Sequence, residues 1–278
     1  IPLAMINGRL SARSAARWSK MPKLISTILS WFDVVLAQSV DDASRLKSLG
    51  ARAIPAGNIK YAAAPLAVDA QNLASLKTQI NGRSIVLFAS THAGEEDIVR
   101  DVYKNLSEKH PNLLIAIMPR HPRRGDEIIT LLSDLNVARR STGDAITPST
   151  QIYLADTVGE AGLFYTLAPI AFVGNSLITD PGGGHNLLEP AHLDCAILHG
   201  PHMWNFPEIE RDLRAAGGSV TVKDTNDLTA QIDALLKDSA RRQALADAAL
   251  AFVRTQDKVL DDVTEHLRPV MGKAGIVL

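Results

Sequence analysis

The stretch FVGNSLITDPGGGHNLLEPAHLDCAILHGPHMWNFPEI, residues 172–209, decides the fold. Residues 168–173 form an apolar run of strand type, which Gly174-Asn175-Ser176 and Pro181-Gly182-Gly183-Gly184 cannot extend. His185-Asn186-Leu187-Leu188-Glu189-Pro190-Ala191 then reads as the first turns of a helix. Asn186 is the candidate N-cap, and Glu189 follows at a spacing close to that of a capping box. Strand, glycine-rich loop and helix start together make a candidate anion site. Glycines let backbone N–H groups approach a phosphate, and a helix N-terminus carries about half a positive charge. The alternative is a loop that needs glycines only for its turns and a Glu that caps its own helix, and the residues alone leave both open.

Outward from this unit the chain alternates strands and helices, which predicts doubly wound α/β layers. An apolar strand is expected at 2–6, strands at 34–37 and 53–55, and between these last two a helix at 41–49 ended by Gly50. Residues 70–83 read as a polar stretch leading into 84–90, a buried strand of parallel-sheet type, and the domain boundary is placed there. Further strands are expected at 113–118, 152–154, 170–173, 196–198 and 219–222, and 227–251 reads as two alanine-rich amphipathic helices. With 278 residues and 46% hydrophobic residues the chain can bury one or two cores, and two domains are expected.

Polar residues gather at strand ends, where such a fold binds ligands. The hydroxyls of Ser90 and Thr91, the imidazole of His92 and the following helix start can donate to a phosphate or carboxylate, whereas Glu95 and Glu96 favour a first helical turn. Arg120 and Arg124 follow strand 113–118, and a guanidinium there suits a bidentate grip on an anion. The alternative of two solvated arginines is weakened by Pro119 and Pro122, which stiffen the loop. Asn7, Arg9, Arg13 and Arg17 with Trp18 form a strip for acidic lipid head groups or, equally, a solvated helix face.

Other classes are disfavoured. A net charge of −1 gives no long-range field for nucleic acid. Cys195, the one cysteine, excludes an intrachain disulfide and reads as a buried structural thiol. His185, His199 and His202 lack metal-ligand spacing, so no metal is expected. No apolar run approaches the roughly 18 residues needed to span a bilayer, and the start has no signal-peptide layout.

Gly174-x-Ser176, Gly183-Gly184-His185-Asn186-x-x-Glu189-Pro190 and Gly200-Pro201-His202-x-x-Asn205-Phe206-x-Glu208-Ile209 resemble the signature of the 3-deoxy-D-manno-octulosonic acid (Kdo) transferases that decorate lipid A. Other segments agree in order. Asn7-x-Arg9-x-Ser11 with Arg13-Ser14, and Ala37-Gln38-Ser39 leading to Gly57-Asn58-Ile59-Lys60, resemble the second half of that family's acceptor domain. Ala89-Ser90-Thr91-His92-x-Gly94-Glu95-Glu96, Pro119-Arg120-His121-Pro122-x-Arg124 and Asp156-Thr157-x-Gly159-Glu160 resemble its nucleotide domain.

The resemblance implies an α/β fold of GT-B type, with two Rossmann-like doubly wound parallel-sheet domains, the first incomplete. Residues 1–78 would be the second half of an acceptor domain, 79–256 a CMP-sugar-binding domain, and 257–278 a helix crossing back to the first domain. It implies transfer of Kdo from CMP-Kdo to a lipid A precursor, lipid IVA, in lipopolysaccharide biosynthesis at the cytoplasmic face of the bacterial inner membrane, with no cofactor. Ser90, Thr91, His92, Arg120, Gly174, Ser176, Gly183, Gly184, His185, Asn186 and Glu189 would bind the donor. Arg120, His92, Ser176 and the 182–184 backbone would meet its phosphodiester and carboxylate, Glu189 its ribose, and Asn186 the phosphate or a sugar hydroxyl.

The family's proposed catalytic base, the Glu of a Gly-Glu motif, has no counterpart before Asn7. Glu160 follows Gly159 in the wrong context. Because residue 1 is Ile and the chain opens in an apolar strand, an N-terminally truncated piece without transfer activity is expected, its membrane anchor and base lying upstream. The alternatives are a GT-B transferase or epimerase acting on a UDP-sugar, and a nucleotide-sugar-binding module without activity.

Overall fold

The computed structural model describes residues 1–61, 66–256 and 258–276. Packing divides the chain into two compact units, one of residues 1–63 with 253–278 and one of residues 64–252.

In the smaller unit β1 (Ala4–Gly8), β2 (Val34–Ala37) and β3 (Ala53–Pro55) pair in that order, all parallel. Side chains alternate across a strand, so β2 feeds two layers. Val35 and Ala37 pack with Ile25 and Leu29 of α2 (Pro22–Ser30) and with Ala43 and Leu46 of α3 (Val40–Ser48). Val34 and Leu36 pack on the other side with Val259 and Val263 of α12 (Lys258–Lys273). Covered on both faces, β2 can be apolar throughout, which is why it reads as a continuous run. Local chemistry starts the helices. Ser39 Oγ accepts the Asp42 N–H at 3.0 Å to cap α3, with Asp41 and Asp42 in its first turn and Arg45 and Lys47 in its last.

The larger unit is a seven-stranded parallel sheet. Its strands are β4 (Ser84–Thr91), β5 (Leu113–Pro119), β6 (Val137–Arg139), β7 (Ile152–Leu154), β8 (Ile170–Val173), β9 (Ala196–His199) and β10 (Ser219–Thr221), in the order β10-β9-β8-β4-β5-β7-β6. Val86, Phe88, Ile115, Ile117 and Phe172 form one core with Val99, Val102 and Leu106 of α5 (Glu95–Ser107) and Leu228, Ile232 and Leu235 of α10 (Thr225–Lys237). Truncating one of these to alanine costs about 2–5 kcal/mol. β4 has β5 on one side and β8 on the other, so the loops after these strands meet where the strand order turns back. That is the position at which open α/β sheets bind ligands.

Several expectations change in detail. Residues 70–83 are not merely polar: α4 (Ala70–Ile80), capped by Asp69, buries Leu76 and Ile80 in the larger unit. The expected boundary after 78 therefore falls inside a helix, while packing separates the units at 63/64 and 252/253. The edge strand β6 is not expected from the sequence. The long helical region is two helices, α10 and α11 (Ser239–Gln256). The segment expected to begin at 257 is α12 from Lys258, and residue 257 itself lies outside the described residues. Among the described residues no helix is long and apolar enough to cross a membrane.

Candidate functional site

At the end of β4 the register against β5 slips between Ala89 and Thr91, and Ser90 adopts φ 57°. This bulge turns the chain into Thr91 and His92 and then into α5. Glu95, in the first turn, does not face solvent. Its Oε2 accepts the N–H of Asn175 at 2.6 Å and of His92 at 3.1 Å, and its Oε1 accepts the N–H of Ser176 at 3.2 Å. A side chain at Gly174 would meet this arrangement, because a Cβ there would lie 2.7 Å from Glu95 Oε2 and 2.8 Å from the Ser90 carbonyl. Burial pushes the Glu95 carboxyl up, and the backbone donors, Asn175 first, pull it down. Glu95 thus joins the loop after β4 to the loop after β8.

Glu96 makes a second internal set. It is fully buried, accepts from Thr91 Oγ1 at 2.8 Å, and takes both terminal nitrogens of Arg124 at 2.8 and 3.1 Å. Arg124 is bonded to Glu127 as well. Two expected anion ligands are therefore committed elsewhere: Arg124 is a partner for carboxylates within the fold, and the Thr91 hydroxyl is sealed against Glu96.

Ser176 is a third correction. Its Oγ donates to the Val173 carbonyl at 2.5 Å and accepts the Gly200 N–H at 2.8 Å, with the residue fully buried. It ties the loop after β8 to the loop after β9, and its hydroxyl is used within the fold. The glycine run also has a local reason. Gly182, Gly183 and Gly184 all have positive φ, and a Cβ on them would stand 2.3, 2.3 and 2.1 Å from Trp204, Asn205 and Met203. The Gly184 N–H is used by the Asn175 carbonyl at 2.7 Å. The helix after the run is one turn, α8 (Leu188–Ala191), preceded by Asn186 Oδ1 accepting the Leu188 N–H at 3.1 Å. It is too short to supply the N-terminal dipole expected from the sequence.

What remains open at the strand ends is a compact group from three loops. The His92 and His185 rings are nearly parallel, their centroids 5.3 Å apart, and meet end to end at their Nε2 atoms, 3.1 Å apart. His121 meets His92 edge-on at 5.7 Å. Arg120, whose backbone N–H bonds the Thr91 carbonyl at 3.0 Å, is exposed, and its guanidinium makes no hydrogen bond or ion pair among the described residues. Glu189 is half-buried; burial raises its carboxyl, countered by a bond from Asn186 and by the charge of Arg120. Burial and the neighbouring His92 push His185 down to about 4, and burial and His121 lower His92. An unpaired cation with two imidazoles beside it suits an anion, and a carboxylate across from it suits hydroxyl donors.

The structure thus brings together His92, Arg120, His185, Asn186 and Glu189, with Ser90 at the bulge beside them, and turns Thr91, Gly174, Ser176, Gly183 and Gly184 to shaping the loops. His121 was missed as a site residue, although it follows Arg120 in the same strand-end loop. Asp156 and Glu160, from the Asp-Thr-x-Gly-Glu motif, are bound internally: Asp156 to Arg139 at 2.5 Å and to Ser141 at 2.8 Å, Glu160 to Arg140 at 2.6 Å and to Thr157. Cys195 is buried, its Sγ donating to the Tyr165 and Ala168 carbonyls. His199 is buried in β9 and His202 packs on Trp204; no group of three metal-ligating side chains occurs among the described residues.

Two Rossmann-type units, the larger with its candidate site at the strand ends, give the chain the fold of the GT-B glycosyltransferases and related enzymes. UDP-GlcNAc 2-epimerase from Neisseria meningitidis shares this fold at 16% identity, with a TM-score of 0.55 over 97% of this chain and 70% of that one. More specific matches follow. The family model described as 3-deoxy-D-manno-octulosonic-acid transferase (kdotransferase) matches residues 1–63. The 3-deoxy-D-manno-octulosonic acid transferases of Rickettsia felis and Haemophilus influenzae are 34% and 35% identical over 94% and 98% of this chain. The crystal structure of the C-terminal CMP-Kdo binding domain of WaaA from Acinetobacter baumannii is 34% identical, with a TM-score of 0.61, covering 68% of this chain and 96% of that domain. The chain belongs to the Kdo transferase family. It spans 56% and 65% of the lengths of the Rickettsia and Haemophilus relatives.

Proposed function

We propose that the larger unit binds CMP-Kdo and that the protein serves transfer of Kdo to a lipid A precursor, lipid IVA, at the cytoplasmic face of the inner membrane. The observation that carries this reading is the exposed guanidinium of Arg120, unpaired among the described residues and close enough to His92, His185 and Glu189 to act on their charge. CMP-Kdo brings a phosphodiester and a carboxylate close together, and these need fixed donors of positive character. Glu189 and Asn186 would accept from or donate to hydroxyls of the ribose or sugar. Departure of CMP from the sugar needs little acid, because the leaving group is a phosphate, so support of its developing charge by Arg120 is the main service of this pocket. Neither Glu95 nor Glu160 is placed to take a proton from an acceptor, since both are saturated by internal donors. Family membership and the likeness to a CMP-Kdo binding domain support the donor; the acceptor and the membrane face are inferred from the family. Calorimetric titration with CMP, UMP, cytidine and CMP-Kdo tests the proposal. CMP-Kdo should bind more tightly than cytidine and CMP more tightly than UMP, and a preference for UMP would overturn it.

A further inference from the structure

We propose that His92 and His185 act as one charge-matching element, which takes up a single proton from solvent as a ligand with two negative charges binds, and so favours such a ligand over a neutral nucleoside. The inference rests on reading the pocket as a CMP-Kdo site. Its basis is geometric. At 3.1 Å the two Nε2 atoms are in hydrogen-bond contact, so one carries the proton and the other is bare. The ring with the bare Nε2 holds its proton on Nδ1, and the donating ring has a bare Nδ1. Neither Nδ1 has a hydrogen bond among the described residues. One proton can be added at the bare Nδ1 without disturbing the contact, which becomes the charge-assisted bond of an imidazolium to an imidazole. A second cannot be added, because two Nε2–H groups would then face each other. The pair has a neutral and a singly charged state.

The surroundings hold it neutral while the pocket is empty. Arg120 and His121 from the loop after β5, and Arg124 beyond them, oppose charge on the pair. Burial acts in the same direction. Glu96 acts the other way on His92 but is already bonded to Arg124 and Thr91, and Glu189 faces Arg120. An anion entering beside Arg120 reverses the balance and raises the affinity of the pair for a proton. A group whose pKa is higher in the bound than in the free state gains a proton on binding. It therefore tightens binding at low pH, a gain lost as pH rises through the bound-state value.

The test is calorimetric titration of the chain with CMP-Kdo at pH 6.5 in phosphate-free buffers of differing ionisation enthalpy. The dependence of the apparent enthalpy on buffer should give about 0.5–1 proton taken up per CMP-Kdo, and Kd should weaken by up to about tenfold per pH unit toward pH 8.5. Cytidine should take up none. The double change His92→Gln with His185→Gln, which leaves no ring of the pair to protonate, should bind CMP-Kdo without uptake and with a flat pH profile, while His121→Gln should keep the uptake. CMP-Kdo binding without proton uptake in the unaltered chain overturns the inference, as does uptake lost in His121→Gln and retained when both His92 and His185 are Gln. Absence of CMP-Kdo binding at every pH would instead refute the reading of the pocket, and the inference with it. Should either variant fail to fold by circular dichroism, the buffer series on the unaltered chain decides.

Discussion

Replacing Glu95 by Gln takes one acceptor from a carboxylate that serves donors on both oxygens. Oε2 holds the N–H groups of Asn175 and His92 at 2.6 and 3.1 Å, and Oε1 those of Ser176 and Leu177 at 3.2 and 3.5 Å. Glutamine offers one carbonyl oxygen, and its NH2 accepts nothing. The less costly rotamer keeps Oε1 toward Asn175 and His92 and turns the amide toward Ser176 and Leu177. One good bond and one long one are then lost in an interior where residue 95 is 1% exposed. Bonds to charged groups are worth about 1.5–3 kcal/mol each. Burial of the carboxylate opposes this, since it raises Glu95 and is relieved by a neutral amide. The balance is a loss of about 1–3 kcal/mol, or roughly 3–10 °C in Tm for a unit of this size. Scanning calorimetry measures the loss, and hydrogen exchange at the Asn175 and Ser176 amides locates it. A Tm within about 1 °C of the unaltered chain, with both amides as protected as before, would refute the bridging role of Glu95.

The two arginines of the loop after β5 should behave oppositely. Arg120→Ala should leave Tm unchanged but weaken CMP-Kdo binding by about 1.5–3 kcal/mol while sparing cytidine, and equal losses for both ligands would make Arg120 structural. Arg124→Ala strands the buried Glu96 and should cost about 3–5 kcal/mol in denaturant unfolding; a change below about 1 kcal/mol would contradict the pairing. Glu189→Gln should weaken CMP and cytidine alike by calorimetry, and unchanged affinity for both would leave the residue without a ligand role. Burial would raise the Asp156 carboxyl, but Arg139 and Ser141 hold it below the usual range, and Arg140, with Thr157 helping against burial, does the same for Glu160. Carboxyls depressed by folding stabilise fully above their unfolded value and lose this as pH falls through the folded one. The double change Asp156→Asn with Glu160→Gln should therefore lower stability at pH 7 and flatten its decline below about pH 4. An unaltered acid decline in thermal unfolding would count against both contacts.

The layered fold was legible because strands such as β4, β5 and β8, covered on both faces, must be apolar runs, and glycine-rich turns mark where they stop. Strand β6 was not, since three residues ending in Arg139 carry no period. Helix α4 was hidden by its polar surface, although Leu73, Leu76 and Ile80 stand at helical spacing. At the site, sequence located the loops but not the direction of side chains within them. Thr91, Ser176 and Arg124 are of ligand type, yet packing gives them internal partners, Glu96 for Thr91 and Arg124 and the Gly200 N–H for Ser176. Glu95 had only a helix-dipole role in the sequence because its acceptor role spans loops about eighty residues apart. His92 and Arg120 lie where the sequence puts them, at strand ends: among the described residues no hydrogen bond or ion pair engages the Arg120 guanidinium, and the His92 ring bonds His185, another residue of the candidate site.

The smaller unit is discontinuous: its sheet lies in the first 63 residues and the helix covering Val34 and Leu36 lies beyond residue 253. Gly57, at φ +84°, leaves room for Val259, which a Cβ there would approach to 2.6 Å. During synthesis this apolar face waits while residues 64–252 are made, roughly 10–40 s at about 5–20 residues per second. All residues of the larger unit are thus synthesised before the helix that covers the smaller one, and for that interval the apolar face of β2 lacks its cover. A chain released before residue 259 would keep that surface bare.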